Sequence, residues 1–226
     1  MRVQIAPSVY ASPLLRVAEA LDAVEAAGVD ALHLDVMDGH FVPAISFGVL
    51  FVREIRARTS LPLDVHLMVA QPENLLDELA AIGVRGVTVH AEVFAARPDG
   101  ARKLGEVLRT IRGAGMRAGI ALKPGTPDTV FDVFETDIDD LLVMTVEPGA
   151  SGQSFRLDQI EKIRRVSARA RISGIQVAVD GGINPETGAA CVAAGATYLV
   201  VGSALFSGGL DGIASAVSRM RGAVQT

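Results

Sequence analysis

The feature that most constrains the fold of this chain is the regular alternation of strand-like and helix-like segments along its length. Short runs rich in Val, Ile and Leu are each followed by a longer segment with apolar residues at helical spacing. Eight such pairs follow one another without a linker or low-complexity segment. Strict alternation of this kind favours a parallel sheet, and eight pairs are best accommodated by a closed (β/α)8 barrel. We therefore predict one barrel domain over residues 1–226; a doubly wound open sheet is the alternative, but it usually has fewer strands.

The bounds of the segments follow from apolar periodicity, with Pro at several helix starts and Gly after several helix ends. The predicted strands are Gln4–Pro7, Ala31–Met37, Leu63–Met68, Gly86–His90, Arg117–Leu122, Asp140–Val146, Ile175–Val179 and Thr197–Val201. The predicted helices are Leu14–Ala27, Val49–Arg58, Asn74–Ile82, Ala101–Arg112, Pro127–Phe134, Leu157–Ala170, Pro185–Ala194 and Leu210–Arg221.

Charge and cysteine content restrict the environment and the partners. A formal net charge of −5 argues against a general surface for nucleic acid or anionic membrane. No apolar run approaches the length of a membrane span. The single cysteine, Cys191, excludes an internal disulfide and fits a reducing compartment. We predict a cytoplasmic protein with neither nucleic-acid nor membrane partners.

The second predicted strand carries polar side chains on one of its faces. Apolar residues at positions 32, 34 and 36 alternate with His33, Asp35 and Met37, and Gly39 follows as a turn signal. Because helices flank this strand on both sides in the chain, neither face should meet bulk water. Burying an imidazole and a carboxylate is costly unless they have partners or a metal.

Two other strands end on equivalent side chains, and chemistry in such barrels lies at the carboxyl ends of the strands. His66 lies on the third strand and Asp180 follows the seventh. We predict that one divalent metal ion per subunit is bound by His33, Asp35, His66 and Asp180. This donor set suits Zn²⁺, Fe²⁺, Mn²⁺ or Co²⁺ better than Mg²⁺. Two buried His–Asp ion pairs are the alternative.

Three methionines occupy corresponding strand ends: Met37, Met68 and Met144. Methionine is often a core gap-filler. Around a metal site, these side chains would form an apolar roof that keeps water from a carbanion-like intermediate.

Glycine-containing strand-to-helix junctions predict a phosphate site. Gly181 and Gly182 follow the seventh strand, and Gly202 and Ser203 follow the eighth, the two loops that often bind phosphate in (β/α)8 enzymes. Glycine permits close backbone approach, and N–H groups at helix starts bind phosphate. The segment 147–154 after the sixth strand is small and polar enough to be a mobile lid. We therefore predict a phosphorylated substrate.

This set of residues can epimerise a ketose phosphate. A metal would act as a Lewis acid and stabilise an enediolate formed when a carbon next to the carbonyl loses its proton. Asp35 and Asp180, on the second and seventh strands, would then act from opposite sides, one removing the proton and the other returning one. A different chemistry, a Schiff-base lyase, would use Lys123 after the fifth strand.

The sequence resembles the ribulose-phosphate 3-epimerase family over nearly its whole length. The matching segments are Ile5-Ala-Pro-Ser8, His33-Leu-Asp-Val-Met-Asp-Gly-His-Phe-Val-Pro43, Asp64-Val-His-Leu-Met68, Leu122-Lys-Pro-Gly-Thr126, Val143-Met-Thr-Val-Glu-Pro-Gly149, Val179-Asp-Gly-Gly-Ile183 and Val201-Gly-Ser203. The second segment is highly specific, whereas those containing Gly are weak singly.

The resemblance implies a TIM barrel of the ribulose-phosphate-binding type that interconverts D-ribulose 5-phosphate and D-xylulose 5-phosphate. It implies the four metal ligands above, Asp35 and Asp180 as the acid/base pair, and a homo-oligomer. It further implies substrate contacts at Ser8, His66, Met37, Met68, Met144, Gly149, Gly152, Gly181, Gly182, Gly202 and Ser203. The sequence departs from the family pattern in loops at Ala11, Pro13, Ala44, Ala150 and Ser151. A related sugar phosphate, such as D-allulose 6-phosphate, is therefore an alternative substrate.

Overall fold

The computed structural model describes residues 2–225 and contains one eight-stranded parallel sheet. The sheet is ordered β1-β8-β7-β6-β5-β4-β3-β2. The strands from β2 to β8 pair in chain order, and β8 pairs with β1. Its strands are β1 (Gln4–Pro7), β2 (Leu32–Met37), β3 (Leu63–Met68), β4 (Gly86–His90), β5 (Arg117–Leu122), β6 (Asp140–Met144), β7 (Gln176–Asp180) and β8 (Tyr198–Val201). The predicted barrel is confirmed.

The seam between β1 and β2 closes the barrel with few contacts. A single parallel bridge joins Ser8 to His33 at the carboxyl end of the seam. At the opposite end, the Asp30 N–H donates to the Ile5 carbonyl oxygen over 3.0 Å, and the Ile5 N–H donates to the Asp30 carboxylate over 2.7 Å. The other seven seams are continuous ladders.

Helices surround the barrel, and most of the core lies between them and the strands, as expected for apolar strand residues that face outward. The α-helices are α1 (Val17–Ala26), α2 (Val49–Arg58), α3 (Leu76–Ile82), α4 (Ala91–Ala95), α5 (Gly100–Gly113), α6 (Thr129–Phe134), α7 (Gln159–Ser173), α8 (Pro185–Ala193), α9 (Ser203–Phe206) and α10 (Ile213–Val224). Short 3-10 turns span Val9–Ala11, Leu14–Arg16, Pro72–Leu75 and Leu210–Gly212.

Several predicted bounds were wrong at element ends. The first helix was predicted from Leu14, but that turn is 3-10 and exposes Leu14 and Leu15, so their apolar character does not report core packing. The sixth strand ends at Met144 rather than Val146, where Thr145 turns to bond the Asp180 and Gly181 carbonyl oxygens. Helices α4 and α9 were not predicted, because five and four residues are too few to show helical periodicity.

The amino-terminal end of the barrel interior is a polar floor formed by Asp64, Arg85, Arg117, Asp140 and Tyr198. The Asp64 carboxylate accepts from Arg85 Nε over 2.8 Å and from the Tyr198 hydroxyl over 2.5 Å. Arg117 Nε donates to Asp140 over 2.9 Å. Apolar side chains such as Leu142 and Ala178 form a buried cluster with Tyr198 of this floor.

Within residues 2–225, the helices are all too short or too polar to cross a lipid bilayer.

Candidate active site

The register of the sheet brings the predicted polar residues to the same end of the barrel. Asp35 of β2 lies opposite His66 of β3, and Met37 lies opposite Met68 one step further along. On the other side of the barrel, Asp180 of β7 lies opposite Met144 of β6. Side chains two residues apart on a strand share a face, so His33 joins Asp35 inside the barrel.

The four predicted metal ligands form one compact group. The structure places one donor atom from each of His33, Asp35, His66 and Asp180 within 4.8 Å of all the others. Asp35 Oδ1 lies 3.3 Å from His33 Nε2 and 3.1 Å from His66 Nδ1. Asp180 Oδ2 lies 4.0 Å from His33 Nε2 and 3.9 Å from His66 Nδ1.

These separations fit a bound divalent cation. Donors about 2.1 Å from a tetrahedral metal lie about 3.4 Å from one another, and the four distances above bracket that value. His33 supports the same conclusion, because both its ring nitrogens are buried and neither has a hydrogen-bond partner among the described residues. A buried polar atom without a partner is costly, and a metal at Nε2 would satisfy one of them.

The electrostatics of the group differentiate its two carboxylates. Burial and the nearby charge of Asp35 raise the pKa of Asp180 to about 7. Burial opposes ionisation of Asp35 as well, but the adjacent His33 outweighs it and holds the pKa of the Asp35 carboxyl well below the usual range. Ser8 Oγ also donates to Asp35 Oδ2 over 2.6 Å. Two carboxylates whose pKa values are pushed apart are suited to different roles in proton transfer.

The pKa values of the two imidazoles also differ. Burial lowers the pKa of His33, but attraction to the charges of Asp35 and Asp180 outweighs it and raises the pKa to about 9. Burial lowers the pKa of His66 to about 4, so this ring is neutral. His33 therefore carries the proton that a metal must displace.

A cavity opens above this group. Asp35 and Asp180 line this cavity, whereas His33 and His66 do not. It is lined by the following predicted substrate residues: Ser8, Met37, Met68, Met144, Gly149, Gly152, Gly181, Gly182, Gly202 and Ser203. His66, also predicted to contact substrate, lies below the cavity and is fully buried.

The two acid/base candidates lie far apart around the ring of strands. The strands β8 and β1 separate β7 from β2, so Asp35 and Asp180 are three strands apart in a ring where the largest separation is four. They therefore approach the cavity from nearly opposite sides.

Gly181 and Gly182 are required by packing in addition to any role with phosphate. Gly181 has φ +118°, and a Cβ there would lie 2.4 Å from Val146 Cγ2. Gly182 has φ +64°, and its Cβ would lie 2.7 Å from the backbone nitrogen of Phe155. The loop after β7 thus packs directly against the segment 145–155 after β6. Both loops line the cavity.

Lys123, the residue of the Schiff-base alternative, does not line this cavity. Its ammonium lies 4.1 Å from the centre of the Phe41 ring. The geometry thus gives no support to a lyase that uses this amine.

Sequence reasoning missed His90 and Glu92. His90 ends β4 with the same inward orientation as His66, and its Nε2 lies 2.9 Å from His66 Nε2. Its Nδ1 lies 2.9 Å from Glu92 Oε2. The criterion that identified His33 and His66, an imidazole on the inward face at a strand end, also selects His90.

Solved structures with a similar fold include the tryptophan synthase A-subunit from Pyrococcus furiosus. It has a TM-score of 0.70, is 19% identical, and the match covers 97% of this chain and 98% of that one. The tryptophan synthase complex from the same organism gives a TM-score of 0.68 at 20% identity, over 97% of this chain and 98% of that chain. At these identities, the likeness supports the barrel fold alone.

Sequence relatives are much closer. Ribulose-phosphate 3-epimerase of Bacillus subtilis is 39% identical, over 97% of this chain and 99% of the relative. The cytoplasmic isoform of the same enzyme from Oryza sativa is 37% identical over 98% and 94%, and the Mycobacterium tuberculosis enzyme 41% identical over 96% and 91%. A model of the ribulose-phosphate 3 epimerase family matches residues 4–206. The chain belongs to that family.

Proposed function

We propose that this protein is a metal-dependent 3-epimerase that interconverts D-ribulose 5-phosphate and D-xylulose 5-phosphate. The observation that carries the proposal is the group of four donor atoms within 4.8 Å, two of them on carboxylates that line the floor of the cavity. Membership of the family and the names of the relatives support the substrate.

In the proposed reaction, Asp35 and Asp180 move protons. One carboxylate removes the proton from C3 of the ketose phosphate, and the other, in its protonated form, delivers one to the opposite face. Ser8 holds Asp35 through its 2.6 Å hydrogen bond. In the metal-free site the pKa of Asp35 is depressed and that of Asp180 is raised, so the two carboxylates differ in proton affinity.

The metal site would be formed by His33, Asp35, His66 and Asp180. A divalent ion bound there, Zn²⁺, Fe²⁺, Mn²⁺ or Co²⁺, would supply Lewis-acid polarisation of the substrate's carbonyl and neighbouring hydroxyl. His66 is fully buried and His33 almost so, which shields these two ligands from competing water.

The remaining cavity residues would bind the rest of the sugar. Met37, Met68 and Met144 present apolar thioether side chains beside the two carboxylates. The loops at Gly149–Gly152, Gly181–Gly182 and Gly202–Ser203 would bind the phosphate through backbone N–H groups, since bare glycine backbone permits close approach. Excluding water strengthens electrostatic interactions inside such a site.

Metal removal and reloading test this proposal. Protein stripped with a chelator should neither epimerise ribulose 5-phosphate nor exchange its C3 proton with ²H₂O, and reloading with Zn²⁺ or Fe²⁺ should restore both. Product is identified by NMR and deuterium content by mass spectrometry. If activity survives full metal removal and borohydride traps a covalent adduct with the substrate, the protein would be a Schiff-base lyase and not an epimerase.

The same exchange experiment, run with a second sugar phosphate, distinguishes between two possible substrates. Three of the residues that depart from the family pattern, Ala11, Ala150 and Ser151, line the cavity. We infer that a six-carbon ketose phosphate such as D-allulose 6-phosphate is the alternative substrate. Exchange with that sugar and not with ribulose 5-phosphate would retain the mechanism and change the substrate.

Metal binding should release protons in a pH-dependent way. His33, with its pKa raised to about 9, is protonated at pH 6–8 and must lose that proton when Nε2 binds a metal. Asp180, with its pKa raised to about 7, adds a second proton mainly below pH 7. Affinity should therefore fall as pH falls, more steeply below pH 7. Calorimetric titration with Zn²⁺ in buffers of different ionisation enthalpy measures this; equal release at pH 6 and pH 8 would contradict it.

We also propose a homo-oligomer located in the cytoplasm. Both proposals follow from the family resemblance and the cysteine content described above.

A further inference from the structure

The structure places a chain of hydrogen-bonding groups behind His66, on the side away from the cavity. His66 Nε2 faces His90 Nε2 at 2.9 Å, and His90 Nδ1 faces Glu92 Oε2 at 2.9 Å. Both imidazoles are fully buried, and the Glu92 side chain retains 19% of its exposure. Neither His90 nor Glu92 lines the cavity, so they cannot act on the substrate directly.

Glu92 is itself held in place by two donors. Its Oε1 accepts the backbone N–H of Lys123 over 2.7 Å and also accepts the Thr126 hydroxyl. Burial opposes its ionisation, but the hydrogen bonds from His90, Thr126 and Lys123 outweigh this and lower its pKa to about 2. An ionised carboxylate has no hydrogen to donate. His90 Nδ1 must therefore carry the hydrogen shared with Oε2.

We propose that His90 and Glu92 are positioning residues that fix the tautomer of His66 for metal binding. His90 is fully buried, which disfavours a charged ring, so with its hydrogen on Nδ1 it presents a lone pair at Nε2, and the facing Nε2 of His66 must be the donor. With a metal bound, the hydrogen of His66 would then lie on Nε2, and its Nδ1 lone pair would bind the ion beside Asp35 and Asp180 in place of the 3.1 Å contact with Asp35 Oδ1. A second hydrogen-bond partner of this kind commonly orients metal-binding histidines. The inference rests on the metal site of the proposed function.

The charge on Glu92 determines which atom donates in each hydrogen bond from Glu92 through His90 to His66. Glu92→Gln tests this. The Lys123 N–H would keep the amide oxygen of the new side chain at the Oε1 position, which turns its NH₂ toward His90 Nδ1. That NH₂ donates, so His90 would shift its hydrogen to Nε2 and donate to His66. The hydrogen of His66 would then lie on Nδ1, where it competes with the metal.

We expect Glu92→Gln to weaken Zn²⁺ binding by about 10- to 100-fold, the usual effect of losing such a partner. The measurement is competition against a chromophoric chelator with the whole protein. Glu73→Gln is the matched control, since Glu73 pairs with Arg97 at the surface, and its affinity should equal that of the wild type. Activity of Glu92→Gln should recover when zinc is raised to saturation.

Tautomers can be read directly in the wild-type protein, so the inference does not depend on the variant folding. The chain has only four histidines, and His40 is exposed, so ¹⁵N-histidine spectra are readily assigned. We expect Nδ1–H for His90 and Nε2–H for His66 with zinc bound. Nδ1–H on His66, or equal zinc affinity in Glu92→Gln and wild type, would overturn the inference. Wild-type protein that binds no zinc would instead refute the proposed metal site.

Discussion

Asp35→Asn and Asp180→Asn should each reduce epimerisation by about 10²- to 10⁴-fold, the range for loss of one acid/base group. Epimerisation needs both carboxylates, one as base and one as acid, so either substitution is enough to block it. Hydrogen exchange at C3 needs only a base on the correct face. Each variant should therefore retain exchange with one of the two epimers, and the two variants should differ in which epimer that is.

The measurement compares deuterium incorporation into ribulose 5-phosphate and xylulose 5-phosphate for both variants. Both residues are proposed metal ligands, so zinc content is determined for each sample and exchange is expressed per bound metal. Ser203→Ala, which changes a cavity residue outside the proposed metal site, controls for general weakening of substrate binding and should raise KM without separating the epimers. Loss of exchange with the same epimer in both variants would contradict the two-base scheme.

Asp64→Ala should destabilise the barrel by about 3 kcal/mol, near the lower end of the range for breaking a buried pair. The substitution leaves the Arg85 guanidinium and the Tyr198 hydroxyl at the polar floor without their acceptor. The Arg85 side chain retains 25% of its exposure, so water partly compensates, whereas Tyr198 is almost fully buried. The free energy of unfolding is measured by urea denaturation of metal-free protein.

Glu78→Ala provides the comparison, because it removes a carboxylate that pairs with Arg53 on the protein surface. Exposed pairs of this type contribute less than about 1 kcal/mol. Asp64 neither lines the cavity nor belongs to the proposed metal ligands, so its substitution should act mainly on stability. A loss for Asp64→Ala as small as that for Glu78→Ala would show that the floor network contributes little.

The fold was predictable because period-two and helical apolar patterns alternate so regularly. The strand Leu63–Met68 and the helix Val49–Arg58 were predicted at their observed bounds. The errors lie where local sequence does not determine geometry. The 3-10 turn at Leu14–Arg16 has apolar residues that face solvent, and the helix at Ala91–Ala95 is one turn long.

Much of the candidate site was also accessible from sequence, since barrel parity places His33, Asp35 and strand-end residues inside. The distances were not, because the separation of the four predicted donors depends on the register of β2 with β3 and the position of β7. The His90–Glu92 pair was missed for another reason. A histidine on a strand is more often a core residue than a functional one, and its contact to His66 depends on the pairing of β3 with β4.

The sparse seam between β1 and β2 has a consequence for how the molecule opens. Local unfolding begins where few backbone hydrogen bonds must break, and this seam has one bridge where the others have ladders. Ser8 and His33, the residues of that bridge, belong to the candidate site or contact it. An ion held jointly by β2 and β7 would span the seam, since β8 and β1 lie between those strands. The bound ion would thus join the two sides of the seam, and the metal-free barrel would open most readily at the edge where catalysis takes place.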